Sequence, residues 1–344
     1  MNKDEQLSSS ASRAPAPHVA VDLREQAPSI AIVQEEEPKV VVILLNWNNA
    51  HFTAPCIQSL EKSNYSNMHV LVVDNGSEDG SPEALRNDFP DVTLIRNGQN
   101  LGFAAGNNVG VRAALEMGAE YVLILNNDTE LDPGLIRELV SVCEADSSIG
   151  ISTPKMYFMN PPNLIWFAGS TVNLWTGSSN HIGYGEIDHG QFETVTEPGF
   201  ATGCCFLIRA DLLRRLGGFE ESFFIYLEDV DFSVRCRKVG YRIVFSPRAK
   251  LWHKESGTMA KNAHGGPTRR QTPLQHYLKA RNGIFVVRRH ASVTQKIISY
   301  PICALRVSKR LLERLLERDW DSARGTVRGG LEGFGAKCPP PPDV

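Results

Sequence analysis

The stretch Tyr121–Glu130, YVLILNNDTE, decides the fold. Its first five residues form an unbroken apolar run rich in β-formers, the pattern of a strand covered on both faces. The run stops at Asn126, Asn127 and Asp128. In open α/β sheets ligands gather beyond the carboxyl ends of the strands, so an acid at this point is a candidate for holding a metal or a sugar. The same residues also suit a turn that caps the next helix, expected from Pro133 to about Ala145.

Working outward, the pattern recurs three times upstream. VVVILLNWNN (Val40–Asn49) reads as a buried strand with a polar end, followed by a helix from about Thr53 to Lys62. In HVLVVDNGSEDGS, His69 to Val73 form a strand and Asp74-Asn75-Gly76-Ser77 turn into a helix reaching about Asn87. Val92 to Arg96 make a third strand and Gly102 to Met117 a third helix. Strand and helix alternating over short connections predict a parallel α/β sheet with right-handed crossovers. Every strand ends in, or leads to, Asn or Asp: Asn46 and Asn48, Asp74 and Asn75, Asn97 and Asn100, Asn126 and Asp128. One such end is ordinary turn chemistry, whereas four on one sheet edge point to a polar ligand.

Downstream the regularity is lost. Residues 150–200 are rich in Gly, Asn and aromatics, as expected of a long substrate-facing region with short strands. FATGCCFLIR (Phe200–Arg209) reads as a strand, Asp211 to Leu216 and Leu227 to Val239 as helices, and Tyr241 to Phe245 as a last strand before a turn at Pro247 and the segment LWHKESGT. From about Gln275 to about Gly329 the chain is helical and basic. The Ser-, Ala-, Pro- and Glu-rich residues 1–37 and the Pro-rich residues 336–344 are expected to be disordered. The organisation expected is therefore a folded domain over 38–290 and a helical extension over 291–335.

Composition narrows the class. With 344 residues and 42% hydrophobic content the chain can bury a large core. No apolar run approaches the roughly 20 residues of a membrane span, and a signal-peptide pattern is missing from the N-terminus, so a cytosolic protein with at most peripheral membrane contact is expected. Seven scattered cysteines without CxxC spacing argue against a disulfide framework or a zinc site. The net charge of −3 conceals a basic tail: Lys279 to Arg328 holds 12 Lys and Arg against 4 Asp and Glu. Such a run suits a solvated helical face, anionic lipid headgroups or nucleic acid.

Three groups of residues carry candidate chemistry. Gly102, Gly106 and Gly110 fall four apart in NLGFAAGNNVG, matching neither a dinucleotide fingerprint nor a P-loop, and so serve close packing or approach to a ligand. Glu228, Asp229 and Asp231 open a helix, where acids suit the helix dipole, yet beside Phe223, Phe224 and Tyr226 their mutual repulsion can also raise a carboxyl toward general-base duty. His253, next to Trp252, is either structural or a ligand that needs Asp128 nearby.

Taken in order, VVVILLNWNN, VVDNGSEDGS, NLGFAAGNNVG, YVLILNNDTE, TGCCFLIR, GGFEESFFIYLEDVDFSVRCRKVGYR and LWHKESGT resemble the family 2 inverting glycosyltransferases, on the branch of the bacterial rhamnosyltransferases. The resemblance covers about Lys39 to Arg289. It implies a GT-A fold, a Rossmann-like and mainly parallel sheet flanked by helices, here with a basic helical tail. It further implies a nucleotide-sugar donor, dTDP- or UDP-linked, with Asn46, Asn48, Asp74, Asn100 and Asn107 around base and ribose. Asp128 matches the last acid of a DxD motif and His253 a second ligand for Mg²⁺ or Mn²⁺. Asn126 stands where that motif has its first acid, so one charge is missing and weaker metal binding is expected. Asp229 would be the general base, with Glu228 beside it. The expected activity is transfer of a sugar, with rhamnose from dTDP-rhamnose as the branch implies, to a saccharide or lipid-linked saccharide, with no nucleic-acid partner and with membrane contact through the tail. The rival readings are a nucleotidyltransferase that makes nucleotide-sugars and an inactive nucleotide-sugar-binding module.

Overall fold

The computed structural model describes residues 36–254 and 271–335. Of the segments expected to be disordered, 1–37 and 336–344, residues 1–35 and 336–344 lie outside the described residues, as does the end of LWHKESGT, 255–258, while Glu37 bonds Ser66 and Asn67.

The chain alternates β1 (Val40–Asn46), α1 (Ala50–Leu60), β2 (Met68–Asp74), α2 (Ser81–Asp88), β3 (Thr93–Arg96), α3 (Gly102–Glu116) and β4 (Tyr121–Asn126). After β5 (Thr129–Leu131) and α4 (Leu135–Glu144) come β6 (Ile149–Phe158), β7 (Ile165–Phe167) and a hairpin of β8 (Ser170–Asn173) and β9 (Ser178–His181). Then follow β10 (Cys205–Arg209), α5 (Ala210–Leu216), α6 (Glu228–Lys238) and β11 (Arg242–His253). Three helices close the described chain: α7 (Pro273–His290), α8 (Val293–Leu316) and α9 (Trp320–Phe334).

Strands pair in the order β3-β2-β1-β4-β10-β6-β11-β5, with β7 on β6. The first four are mutually parallel, and β10 enters antiparallel to both β4 and β6. The unbroken apolar runs follow from burial on both sides. Val40, Val42 and Leu44 pack into one core cluster, and Val41 and Ile43 into the other. Each such side chain contributes about 1.5–3 kcal/mol over an exposed one. On the second face α3 lies unusually close to β1. A methyl group on Gly110 would stand 2.7 Å from Ile43 Cγ2, and one on Gly106 at 2.7 Å from Leu45 Cδ1, so these two glycines serve packing.

The structure departs from the sequence expectations at β6 and β11. IGISTPKMYF is a central strand, buried at every position, although it contains Pro154 and Lys155. The lysine is tolerated because its Nζ lies 3.1 Å from Asp188 and 2.5 Å from Glu193. The last strand does not stop before Pro247 but runs on to His253. Its register against β6 breaks between Ser246 and Lys250, so Pro247 sits in an irregularity where its missing N–H removes no ladder bond.

Candidate active site

The carboxyl ends of β1, β2 and β4 meet at one edge of the sheet, stitched together by their own polar residues. Asn46 donates from Nδ2 to Asp74 Oδ1 at 3.0 Å and accepts at Oδ1 from the Thr53 hydroxyl at 2.8 Å. The Ser77 N–H donates to Asp74 Oδ2 at 3.1 Å. Asn127 reaches Thr53 Oγ1 from Nδ2 at 2.8 Å. Asn46 and Asp74 are fully buried and so hold the loops of this edge. Asn48 is exposed beside them, accepting from the Glu78 N–H at 2.9 Å. Asn100 is half-buried and receives Asn75 Nδ2 at 2.9 Å, whereas Asn107 is buried within α3, its Nδ2 bonded one turn back to the Phe103 carbonyl. None of these five lines the main cleft.

That cleft, about 780 Å³, opens next to the same edge and gathers the rest. Asn126, Asp128, His253, Glu228 and Asp229 all line it. Asp128 and His253 meet because β5 pairs with β11 directly after the turn, with His253 opposite Thr129. His253 Nε2 lies 3.1 Å from Asp128 Oδ1, and the ring packs edge-on against Trp166. Burial opposes charging of the ring, but Cys204 and Asp128 more than offset it and hold its pKa well above the usual value. Burial pushes the Cys204 thiol up to about 11, so that sulfur is neutral near pH 7 and the Asp128 carboxylate carries the effect.

These two residues fit a divalent cation. Their facing atoms lie 3.1 Å apart, near the spacing of neighbouring ligands of an octahedral ion, and the His253 Nδ1 is buried without a hydrogen-bond partner, so Nε2, which faces Asp128, is the nitrogen that would ligate once its proton is displaced. Among the described residues no group of three or more His, Cys, Asp and Glu is arranged around a metal, so an ion here would complete its shell from substrate phosphates and water.

Across the cleft the three acids of α6 have separated. Asp229 lies partly open to the cleft and accepts the Gly203 and Val230 N–H groups, each at 2.8 Å. Burial raises its pKa against these hydrogen bonds. Glu228 is raised furthest, by burial and then by the Asp229 charge, and its Oε2 has no hydrogen-bond partner. Both effects favour its protonated form. Asp231 faces away, where Arg235, Arg289 and His290 bind it at 2.7–2.9 Å. These contacts overcome the cost of burial and hold its pKa below the usual carboxylate range.

The backbone before α6 is held in an unfavourable shape. Phe224, Tyr226 and Leu227 have φ of 65°, 75° and 69°, a region that costs a non-glycine residue about 1–3 kcal/mol. Asn282 of α7 compensates by donating from Nδ2 to the carbonyls of Phe223, Ile225 and Tyr226 at 2.8–3.0 Å. Its neighbour Arg281 bonds the Ser222 and Phe223 carbonyls at 2.7 and 3.0 Å. Both side chains are buried, and neither role was visible in the sequence, where they stood as part of a basic helix. The far wall of the cleft was missed for the same reason: Lys279, Arg306 and Arg310 line it. The tail's apolar residues Leu305, Leu312 and Leu316 are exposed instead, and among the described residues no helix is long and apolar enough to cross a membrane.

Residues 41–217 match the family described as Glycosyl transferase family 2. The chain belongs to that family. Family 2 membership removes the nucleotidyltransferase reading. The chain is similar to an N-acetylglucosaminyl-diphospho-decaprenol L-rhamnosyltransferase of Mycobacterium tuberculosis, 26% identical over 60% of this chain and 73% of the relative. It is also similar to the dTDP-rhamnosyl transferase RfbF of Shigella flexneri, at 23% over 65% and 72%. Its fold is that of a mannosyltransferase from Pyrobaculum calidifontis solved with GDP-Man and Mn²⁺, with a TM-score of 0.54 over 87% of this chain and 88% of the other, at 17% identity. The fold is accordingly GT-A.

Proposed function

We propose that this family 2 glycosyltransferase moves a deoxyhexose, rhamnose, from a dTDP-linked donor to a hydroxyl of a saccharide or lipid-linked saccharide, with inversion at the anomeric carbon. One observation carries the mechanism: Asp229, a carboxylate of raised pKa, faces the same cleft as the Asp128–His253 pair. The two rhamnosyl-transferring relatives support the choice of sugar, and the diphospho-decaprenol acceptor named for one of them supports a lipid-linked acceptor.

Asp229 takes the proton of the acceptor hydroxyl as the oxygen attacks the anomeric carbon from the side opposite the diphosphate. A raised pKa suits this role, since an ordinary Asp is too weak a base near neutrality. The C–O bond to the diphosphate breaks in the same step, which inverts the centre. Protonated Glu228 keeps a second negative charge away from the incoming hydroxyl. Asp128 and His253 would hold Mg²⁺ or Mn²⁺, which, when bound, neutralises charge on the departing diphosphate. We assign contact with base and ribose to Asn48 and Asn100 at the accessible rim, and support of that rim to Asn46, Asp74 and Asn107.

Asp229→Asn tests the reading. The variant should bind dTDP as tightly as the parent and lose transfer by about a hundredfold or more. Full transfer by Asp229→Asn would overturn the assignment of the base. A parent protein that binds dTDP-rhamnose but transfers nothing to any saccharide would restore the inactive-module reading.

A further inference from the structure

Four residues on one face of α8, Cys303, Arg306, Val307 and Arg310, line the cleft at intervals of three and four. They form its second wall together with Lys279 of α7, which stands 5.2 Å above the Tyr226 ring, two residues before Glu228. Arg306 donates from Nη1 to the Gly177 carbonyl at 2.9 Å, in the turn of the β8–β9 hairpin. Arg310 has no hydrogen bond or ion pair among the described residues, although it is only partly exposed. Burial, and then the Arg306 charge, hold its pKa below the usual guanidinium value. Like charges four apart on a helix repel, and withdrawing them from water adds to the cost. That cost is recovered when an anion lies between them. The fork of a guanidinium matches phosphate oxygens in particular.

We propose that this basic wall is the acceptor's phosphoryl subsite, taking the diphosphate that joins a saccharide to a prenyl lipid. The inference rests on the glycosyl-transfer reading and names the acceptor class for it. The donor's own diphosphate belongs at Asp128, in the turn between β4 and β5, and at His253, the last residue of β11, whereas Arg306 and Arg310 project from a helix beyond the matched family span of 41–217. Bound there, the acceptor would present its sugar between the basic wall and Asp229. The exposed apolar row Leu305, Leu312 and Leu316 lies on the opposite side of α8, so the two arginines are not part of that surface.

The test is calorimetry on the full chain with geranyl diphosphate, in the presence of Mg²⁺ and saturating dTDP. Geranyl diphosphate should bind without displacing dTDP. Arg306→Ala and Arg310→Ala should each weaken it by about tenfold or more while leaving the Kd for dTDP unchanged. Arg310→Lys should recover part of the loss, which a folding defect would not allow. Inorganic pyrophosphate should show the same dependence more weakly, and neutral geraniol none. Equal affinity in parent and Arg310→Ala, or displacement of dTDP by geranyl diphosphate, would overturn the proposal. It would likewise fall if the variants bound geranyl diphosphate normally but lost affinity for phosphatidylglycerol vesicles, which would assign the arginines to headgroups. Failure of dTDP, UDP and GDP to bind the parent would sink the donor reading, while the geranyl diphosphate titration would still report on the wall.

Discussion

The distinction between Glu228 and Asp229 has consequences that pH can read. With Asp229 as the proposed base, transfer requires its ionised form, so activity should rise with pH through that residue's raised pKa. Burial, and not a Glu228 charge, raises Asp229, whereas burial and then the Asp229 charge raise Glu228. Glu228→Gln should therefore leave the acid limb of the pH–rate profile where it is; a limb displaced by about a unit would show that Glu228 shapes the base. The sign for stability is opposite to that of a salt-bridged acid. A carboxyl raised by folding contributes stability below its unfolded pKa and loses it as pH rises through the folded one. Glu228→Gln should accordingly gain stability over the parent at alkaline pH, checked by urea unfolding. At the other wall, Asp128→Ala should abolish whatever increment Mg²⁺ or Mn²⁺ adds to donor affinity, and titrations with and without metal measure it. The sequence pointed to Asp128, His253, Glu228 and Asp229 through the order of their segments along the chain, and the structure brings all four to one cleft. Grouping Asp231 with them overlooked helix geometry: residues two apart on a helix point about 200° from each other.

Among the elements, the loop ahead of α6 was the least legible. FFIYL contains no Gly or Asn to announce three left-handed residues in four, and the conformation is imposed from outside by Arg281 and Asn282. Asn282→Ala should remove hydrogen bonds to three carbonyls, destabilise the fold by about 1–3 kcal/mol and lower kcat with the donor Kd unchanged. Loss of donor affinity in step with kcat would show that the loop serves both substrates. The first four strands were legible because both faces of each are buried, which writes apolar runs directly into the sequence. β6 was not, since a buried lysine is acceptable only with Asp188 and Glu193 in place, and those arrive from residues more than thirty positions away.

At the scale of the molecule, the tail packs against α7, the helix whose Arg281 and Asn282 hold the loop ahead of α6. Gly325, Gly329 and Gly333 recur every fourth residue along α9 and bring it against the backbone of α7. A methyl group on Gly329 would stand 2.2 Å from the Tyr277 carbonyl oxygen. Tyr277 in turn receives Arg281 Nη1 at 3.1 Å and bonds Glu332 of α9. Gly329→Ala should therefore force the helices apart, cost about 1–3 kcal/mol and reduce transfer, although the position does not line the cleft; differential scanning calorimetry with an activity assay checks both. The periodicity of these glycines was available in the sequence, but what they pack against was not. The glycine seam also bears on how such enzymes diversify. Exchanging α8 and α9 for those of another relative would change the wall that we assign to the acceptor and would also unseat the support of the base. Hybrid enzymes made by swapping C-terminal helices alone should be inactive with either parent's acceptor, and recovery should require α7 to travel with them.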